Sequence, residues 1–218
     1  MLPWLAAGLW LLIVVNIYLC LNFMKYETPK DQSEILPNLL GLGSAEDIAL
    51  SEFEGFLKAE ILLTEKLSSR TKFNEAYILK IHKLALQHLY SFAGKYRDVN
   101  MSKDGFPFAA AKFLPKTMKS FQDEILAQLS NKYSNPVDLI VDIAKVHGEL
   151  LVIHPFREGN GRTARMLANL MSRKQGYSSL LFQKVGEKEF KFYVSAVQKS
   201  AEKDYNKMEK FIASIFPG

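Results

Sequence analysis

The sequence predicts a mainly α-helical bundle that carries a single β-hairpin. Three observations predict it. Apolar residues recur at helical spacing in several separate stretches, such as Ile78, Ile81, Ala85 and Leu89, or Met118, Phe121, Ile125 and Leu129. Helix-start chemistry precedes two of them: Ser44 with Asp47 three residues on, and Asn135-Pro136 followed by Asp138. Only Lys103-Asp104-Gly105, between short extended runs, gives a strong hairpin signal. With 218 residues, 48% of them hydrophobic and 23% charged, the chain is long enough for one domain with a sizeable core. A net charge of +5 without a dense Lys/Arg run argues against nucleic-acid binding. A single cysteine, Cys20, excludes an internal disulfide framework and a cysteine-based metal site.

Residues 1–24 stand apart. Leu2 to Met24 holds no charged residue, and both tryptophans, Trp4 and Trp10, lie in it. Its length suits a membrane-spanning helix. No Lys or Arg precedes the apolar run and no Ala-x-Ala-like site ends it, which argues against a cleaved signal peptide. Lys25 and Lys30 follow it and weakly favour a cytoplasmic place for the downstream domain. Met24-Lys25-Tyr26-Glu27 opens a stretch of ordinary soluble composition, so the segment is either a membrane anchor or a mis-assigned start. Residues 25–43, with Pro29 and Pro37, read as an irregular lead-in, and residues 44–218 as the folded domain.

Within that domain the first helix is expected from Ser44 to about Leu67 and the second from about Asn74 to Phe92, closed by Gly94. The hairpin spans Lys95 to Phe108, and a third helix Pro115 to Leu129. The helix opened by Asn135 is apolar on most sides, with Asp138, Asp142, Lys145 and Glu149 in one narrow stripe, and is expected to be central and buried. Two amphipathic helices, Glu187 to Lys199 and Asp204 to Ile215, close the domain. His82, His88 and His147 read as packed or hydrogen-bonded histidines, because no acidic or cysteine partner lies at metal spacing.

The chemistry concentrates in His154-Pro155-Phe156-Arg157-Glu158-Gly159-Asn160-Gly161-Arg162-Thr163-Ala164-Arg165, placed between two apolar helical patterns. A helix N-terminus offers unpaired N–H groups and a partial positive charge, and glycines there let a diphosphate approach the backbone. Gly159-Asn160-Gly161 occupies such a start. A helix running from about Arg162 to Lys174 puts Arg162, Arg165 and Asn169 within an arc of about 60°, with Ala164, Leu167 and Met171 opposite. Two guanidiniums then face the ligand. Glu158 is placed to hold a Mg²⁺ bridging phosphate oxygens, His154 is the natural general base, and Phe156 points into the core and fixes the loop.

This block resembles the signature of the Fic (filamentation induced by cAMP) domain family, His-x-Phe-x-(Asp/Glu)-Gly-Asn-Gly-Arg-x-x-Arg, with every defined position filled. The resemblance implies a Fic-type helical bundle with a β-hairpin flap over the active site. It implies an ATP-dependent protein adenylyltransferase that moves AMP to a Ser, Thr or Tyr hydroxyl of a target protein. His154 would deprotonate that hydroxyl, Glu158 would bind Mg²⁺, and the Gly159–Gly161 backbone would form an anion hole with Asn160 assisting. Arg162 and Arg165 would hold the β- and γ-phosphates, and Phe106 or Phe108 on the flap would press on the target. Related domains transfer phosphate or another nucleotide; the phosphate-transferring branch has lysine where this chain has Gly161-Arg162, which favours adenylylation. A non-catalytic interaction module is the remaining alternative. A P-loop enzyme is disfavoured, since no Gly-x4-Gly-Lys-(Ser/Thr) occurs. The family's inhibitory pattern, (Ser/Thr)-x-x-x-Glu-(Gly/Asn), has no match: Ser51-Glu52-Phe53-Glu54-Gly55 is one residue short. Inhibition is therefore expected from a separate small antitoxin-like chain.

Overall fold

The computed structural model describes residues 35–217, so the expectations for residues 1–24 and for the start of the lead-in lie outside the described residues. Among the described residues no helix is long and apolar enough to cross a membrane. The architecture is mainly α, with a two-stranded hairpin as predicted.

Helix α1 (Ala45–Glu65) starts where the Ser44 hydroxyl accepts from the Asp47 N–H at 3.0 Å. It buries Ile48, Ala49, Gly55, Phe56, Ala59 and Leu63 against α2 (Glu75–Leu86), which Asn74 caps. Gly55 makes that approach close: a Cβ there would stand 2.0 Å from the carbonyl oxygen of Ala85. Gly55→Ala is expected to destabilise the fold by about 3 kcal/mol, because backbone rather than a flexible side chain must move; chemical denaturation checks this.

Helix α2 ends at Leu86, six residues short of the expected Phe92. Residues 87–94 instead coil back, the Tyr90 N–H still bonding to the Leu86 carbonyl, until Gly94 at φ +75° brings its N–H 2.8 Å from His82 Nδ1. The apolar period survives here because turns as well as helix pack against the core; Leu89 and Tyr90 are buried. The hairpin follows as β1 (Ser102–Lys103) and β2 (Phe106–Pro107), paired Ser102 to Pro107 and Lys103 to Phe106. Asp104 and Gly105 both have positive φ, the conformation that a two-residue hairpin turn requires.

Helix α3 (Leu114–Glu124) is the regular part of the expected third helix; a 3-10 turn at Ala111–Phe113 precedes it and Ile125, at φ −121°, breaks it. The central helix is α4 (Pro136–Ile153), capped by Asn135, with Ile143, Ala144, Leu150 and Ile153 buried. One member of its expected solvent stripe is misplaced: Glu149 is buried, held by Lys203 and Tyr205 at 2.6 Å each. Helix α5 (Asn160–Lys174) packs beside α4, and α6 (Glu187–Ser200) and α7 (Asn206–Ile215) close the other side. Gly148 on α4 admits the Ser200 side chain of α6 to a distance no Cβ would tolerate.

Candidate active site

Pro155 cannot continue α4, and the residue before a proline leaves the right-handed helical region. His154 accordingly ends α4 in the left-handed conformation, φ +53° and ψ +59°. The turn throws its side chain out of the helix line. Its Nδ1 lies 3.1 Å from the Leu151 carbonyl oxygen, so Nδ1 carries the proton and Nε2 the lone pair. Phe108 of the hairpin stacks on the imidazole at 3.7 Å. Burial first, then the charges of Arg97 and Lys103, hold the His154 pKa down to about 3, so the ring is neutral at physiological pH.

The loop after His154 is built by side chains that serve it. Phe156 is fully buried and stacks on His82 at 3.8 Å, which places it in the core as expected. His82 Nε2 donates to the Glu158 carbonyl at 2.9 Å while Nδ1 accepts from Gly94, so this histidine is structural. His147 is likewise structural, between the Ala164 carbonyl and the Tyr193 hydroxyl, and His88 sits exposed against Ser51. Asn160 donates to the Phe156 carbonyl and accepts from the Phe156 N–H, at 2.7 and 2.8 Å. Its side-chain amide thus shapes the loop that carries the Gly159–Gly161 backbone. Gly159 caps α5 at φ +76°, and a Cβ there would meet Leu86 at 2.9 Å. Gly161 has open space where a Cβ would stand, at the first turn of α5.

A cavity of about 300 Å³ unites part of this set. His154, Gly161, Arg165, and Lys103, Phe106 and Phe108 of the hairpin line it. Its far wall is apolar: Phe182, Val185, Phe190, Tyr193 and Val197, from α6 and the turn before it. In the sequence this stretch reads only as a short connection followed by an amphipathic helix that closes the domain. Its helical spacing gave no sign that one side of α6 faces a cavity.

The two arginines part company. Arg165 borders the cavity, but Arg162 turns toward α1, its guanidinium 4.9 Å over the Phe56 ring and 2.7 Å from the Glu52 carboxylate. Asn169, expected on the ligand face, accepts the Leu180 N–H at 3.1 Å and secures the chain after α5. The expected common face of Arg162, Arg165 and Asn169 is corrected because helical phase fixes only where a side chain leaves the backbone; a buried carboxylate claims Arg162.

Glu52, which holds Arg162 beside the site, was not singled out by sequence reasoning. It is fully buried, accepts from Tyr90 Oη at 2.7 Å through Oε1 and from Arg162 through Oε2. Its signal was available: Glu52 falls in phase with Ile48, Ala49, Gly55 and Phe56 on the buried face of α1, and a carboxylate on an apolar stripe needs a partner. Glu54, the acid of the near-match to the inhibitory pattern, is exposed and pairs with Lys58.

Glu158 lies half-buried beside this network, its Oε1 accepting from the Gly159 N–H at 2.7 Å and standing 3.3 Å from Arg162. Burial and then the Glu52 charge raise its pKa. Two carboxylates crowd one guanidinium here, a negative excess that suits a cation. Among the described residues no group of three acidic, His or Cys ligands occurs.

Three buried imidazoles also set the response to acid. His82 and His147 are held near 4 and His154 near 3, mainly by burial, against 6.5 for the free group. Between those values the unfolded chain binds protons that the folded chain refuses, so stability falls as pH drops below about 6.5. Each imidazole contributes about 1.4 kcal/mol per pH unit in that window, giving a slope of about 4 for the three. Urea unfolding at a series of pH values between neutrality and acid checks the slope.

Comparison with known proteins bears on the same residues. Residues 72–172 match the sequence model of the Fic/DOC family. The chain is 30% identical over 168 residues to protein adenylyltransferase VbhT of Bartonella schoenbuchensis, covering 70% of this chain and 33% of that protein. It is 32% identical over 107 residues to protein adenylyltransferase Fic of Nematostella vectensis, covering 49% of this chain and 24% of that protein. The chain thus spans about a quarter to a third of the length of these relatives. Among solved structures, the N-terminal FIC domain of Bep8 from Bartonella sp. 1-1C superposes with a TM-score of 0.71 at 21% identity, over 87% of this chain and 94% of that one. BepC of Bartonella tribocorum, solved with bound AMPPNP, gives 0.66 at 18% identity over 86% and 95% of the two chains.

Proposed function

This chain carries a domain of the Fic/DOC family, and from that premise we propose that it transfers AMP from ATP to a Ser, Thr or Tyr hydroxyl of a target protein. The observation that carries the reading is the convergence of His154, Gly161 and Arg165 on one cavity with an apolar far wall. His154 Nε2 takes the proton as the target oxygen bonds to the α-phosphorus. The bond from that phosphorus to the bridging oxygen breaks and pyrophosphate leaves. Arg165 and the first N–H groups of α5 offset the charge on the phosphates, and the apolar wall of Phe182, Phe190 and Tyr193 takes the base. Mg²⁺ held by Glu158 would neutralise phosphate charge. Phe106 and Phe108 sit on the hairpin at the mouth of the cavity and press on the target residue. The curated relatives are named protein adenylyltransferases, which supports this reading over transfer of phosphate or another nucleotide and over a non-catalytic module.

We further propose that residues 44–218 form the working domain and act in the cytoplasm. With Glu54 turned to solvent, inhibition is assigned to a separate small chain. Full activity and harmless expression of the isolated chain, with no small partner co-purifying, would overturn that assignment. Mass spectrometry after incubation with ATP, Mg²⁺ and cell lysate tests the activity: the account expects peptides carrying AMP on a hydroxyl. Arg165→Ala is expected to slow transfer about a hundredfold through poorer orientation of the phosphates, read as initial rates of AMP incorporation.

A further inference from the structure

Arg97 lies in the segment that leads into the hairpin and is almost fully buried. Every hydrogen bond of its guanidinium goes to a main-chain carbonyl. Nε donates to His154 at 2.7 Å, and one terminal nitrogen reaches Ile153 at 3.5 Å. The same head donates to Val99 at 2.6 Å and to Ala109 at 2.5 Å, the residues on either side of the hairpin. The Arg97 N–H adds a bond to the Pro155 carbonyl at 2.9 Å. One planar fork therefore touches both ends of the hairpin and the end of α4.

We infer that Arg97 is a positioning residue that locks the hairpin and the His154 turn into one unit, so that docking of the target and aim of the base are set together. The inference rests on the proposed transfer for its meaning but not for its geometry. His154 holds a left-handed conformation that a non-glycine residue adopts at a cost, and the donors on its own carbonyl and on those of Ile153 and Pro155 help fix that turn. The hairpin has only two residues per strand and is too short to be stable alone. Its base is closed by the Phe108 N–H on the Met101 carbonyl and the Ala111 N–H on Asn100; Arg97 ties that base to the catalytic turn. The stacking of Phe108 on His154 at 3.7 Å is then a result of the shared clamp. Lysine keeps the charge but offers a single point donor and cannot span four carbonyls.

Arg97→Lys in the full chain tests this, with hydrogen exchange read by mass spectrometry and the His154 ring proton read by NMR. The expected result is about tenfold faster exchange both in residues 99–109 and in residues 153–157, the rest of the chain keeping its protection. The His154 ring signal is expected to lose the shift imposed by the Phe108 face, while ATP affinity stays within about twofold. Acceleration in only one of the two segments, in neither, or throughout the chain would overturn the inference, as would an unmoved ring signal. None of these readouts depends on which group is transferred, so failure of the clamp is distinct from failure of the proposed activity.

Discussion

His154→Ala is expected to lower transfer to protein by about a thousandfold or more while ATP binding is kept within about threefold. The imidazole is the group that combines three properties in this cavity. Its proton sits on Nδ1, directed to the Leu151 carbonyl, so the lone pair is on Nε2. Burial keeps the ring neutral well below pH 6.5. It also lies under Phe108 of the hairpin, where an extended target segment would pass. Gly161 and Arg165, proposed to face the phosphates, belong to α5 and do not depend on the His154 side chain. Initial rates at saturating ATP, with nucleotide affinity measured separately, check both halves. Equal losses in rate and in ATP affinity would place His154 in the nucleotide cradle instead.

Glu52→Ala is the substitution expected to cost the fold most among the site residues. It removes the close partner of Arg162 and leaves that guanidinium, only 12% exposed, to Glu158 at 3.3 Å. Breaking one side of a buried pair costs about 3–5 kcal/mol, because the remaining charge stays desolvated. Tyr90 loses its acceptor as well. Two further effects follow at the site. Arg162 can swing to Glu158, occupying the carboxylate proposed to hold Mg²⁺, and Glu158 loses the neighbouring charge that raises its pKa, so it deprotonates more readily. Glu52→Gln keeps an acceptor for Tyr90 and for Arg162 and is expected to be milder in stability. Chemical denaturation of the two variants, with the Mg²⁺ dependence of ATP binding alongside, separates the structural effect from the effect on the site.

These two residues show how unevenly the site was written in the sequence. His154 was legible because its spacing to Gly159, Gly161 and Arg165 is local, and local spacing translates directly into loop and helix geometry. Glu52 lies on another helix, and its meaning appears only when α1 packs beside α5. Arg97 was invisible for a different reason. Its partners are backbone carbonyls, which every residue has, so no residue type in the sequence marks them. The helices were read nearly to their ends where a cap was present, as at Ser44 and Asn135. Helix α2 was overextended because buried turns after Leu86 keep apolar residues at helical spacing. The same limit applies to Arg162: its phase on α5 was correct, but a long side chain follows its charge partner as well as its helix.

The most direct test of the central claim is parallel incubation with α-labelled and γ-labelled ATP, Mg²⁺ and cell lysate, with His154→Ala as control. The account predicts label on protein from the α-position alone, lost in the variant. Label from the γ-position alone would contradict it and assign phosphate transfer to the same cavity.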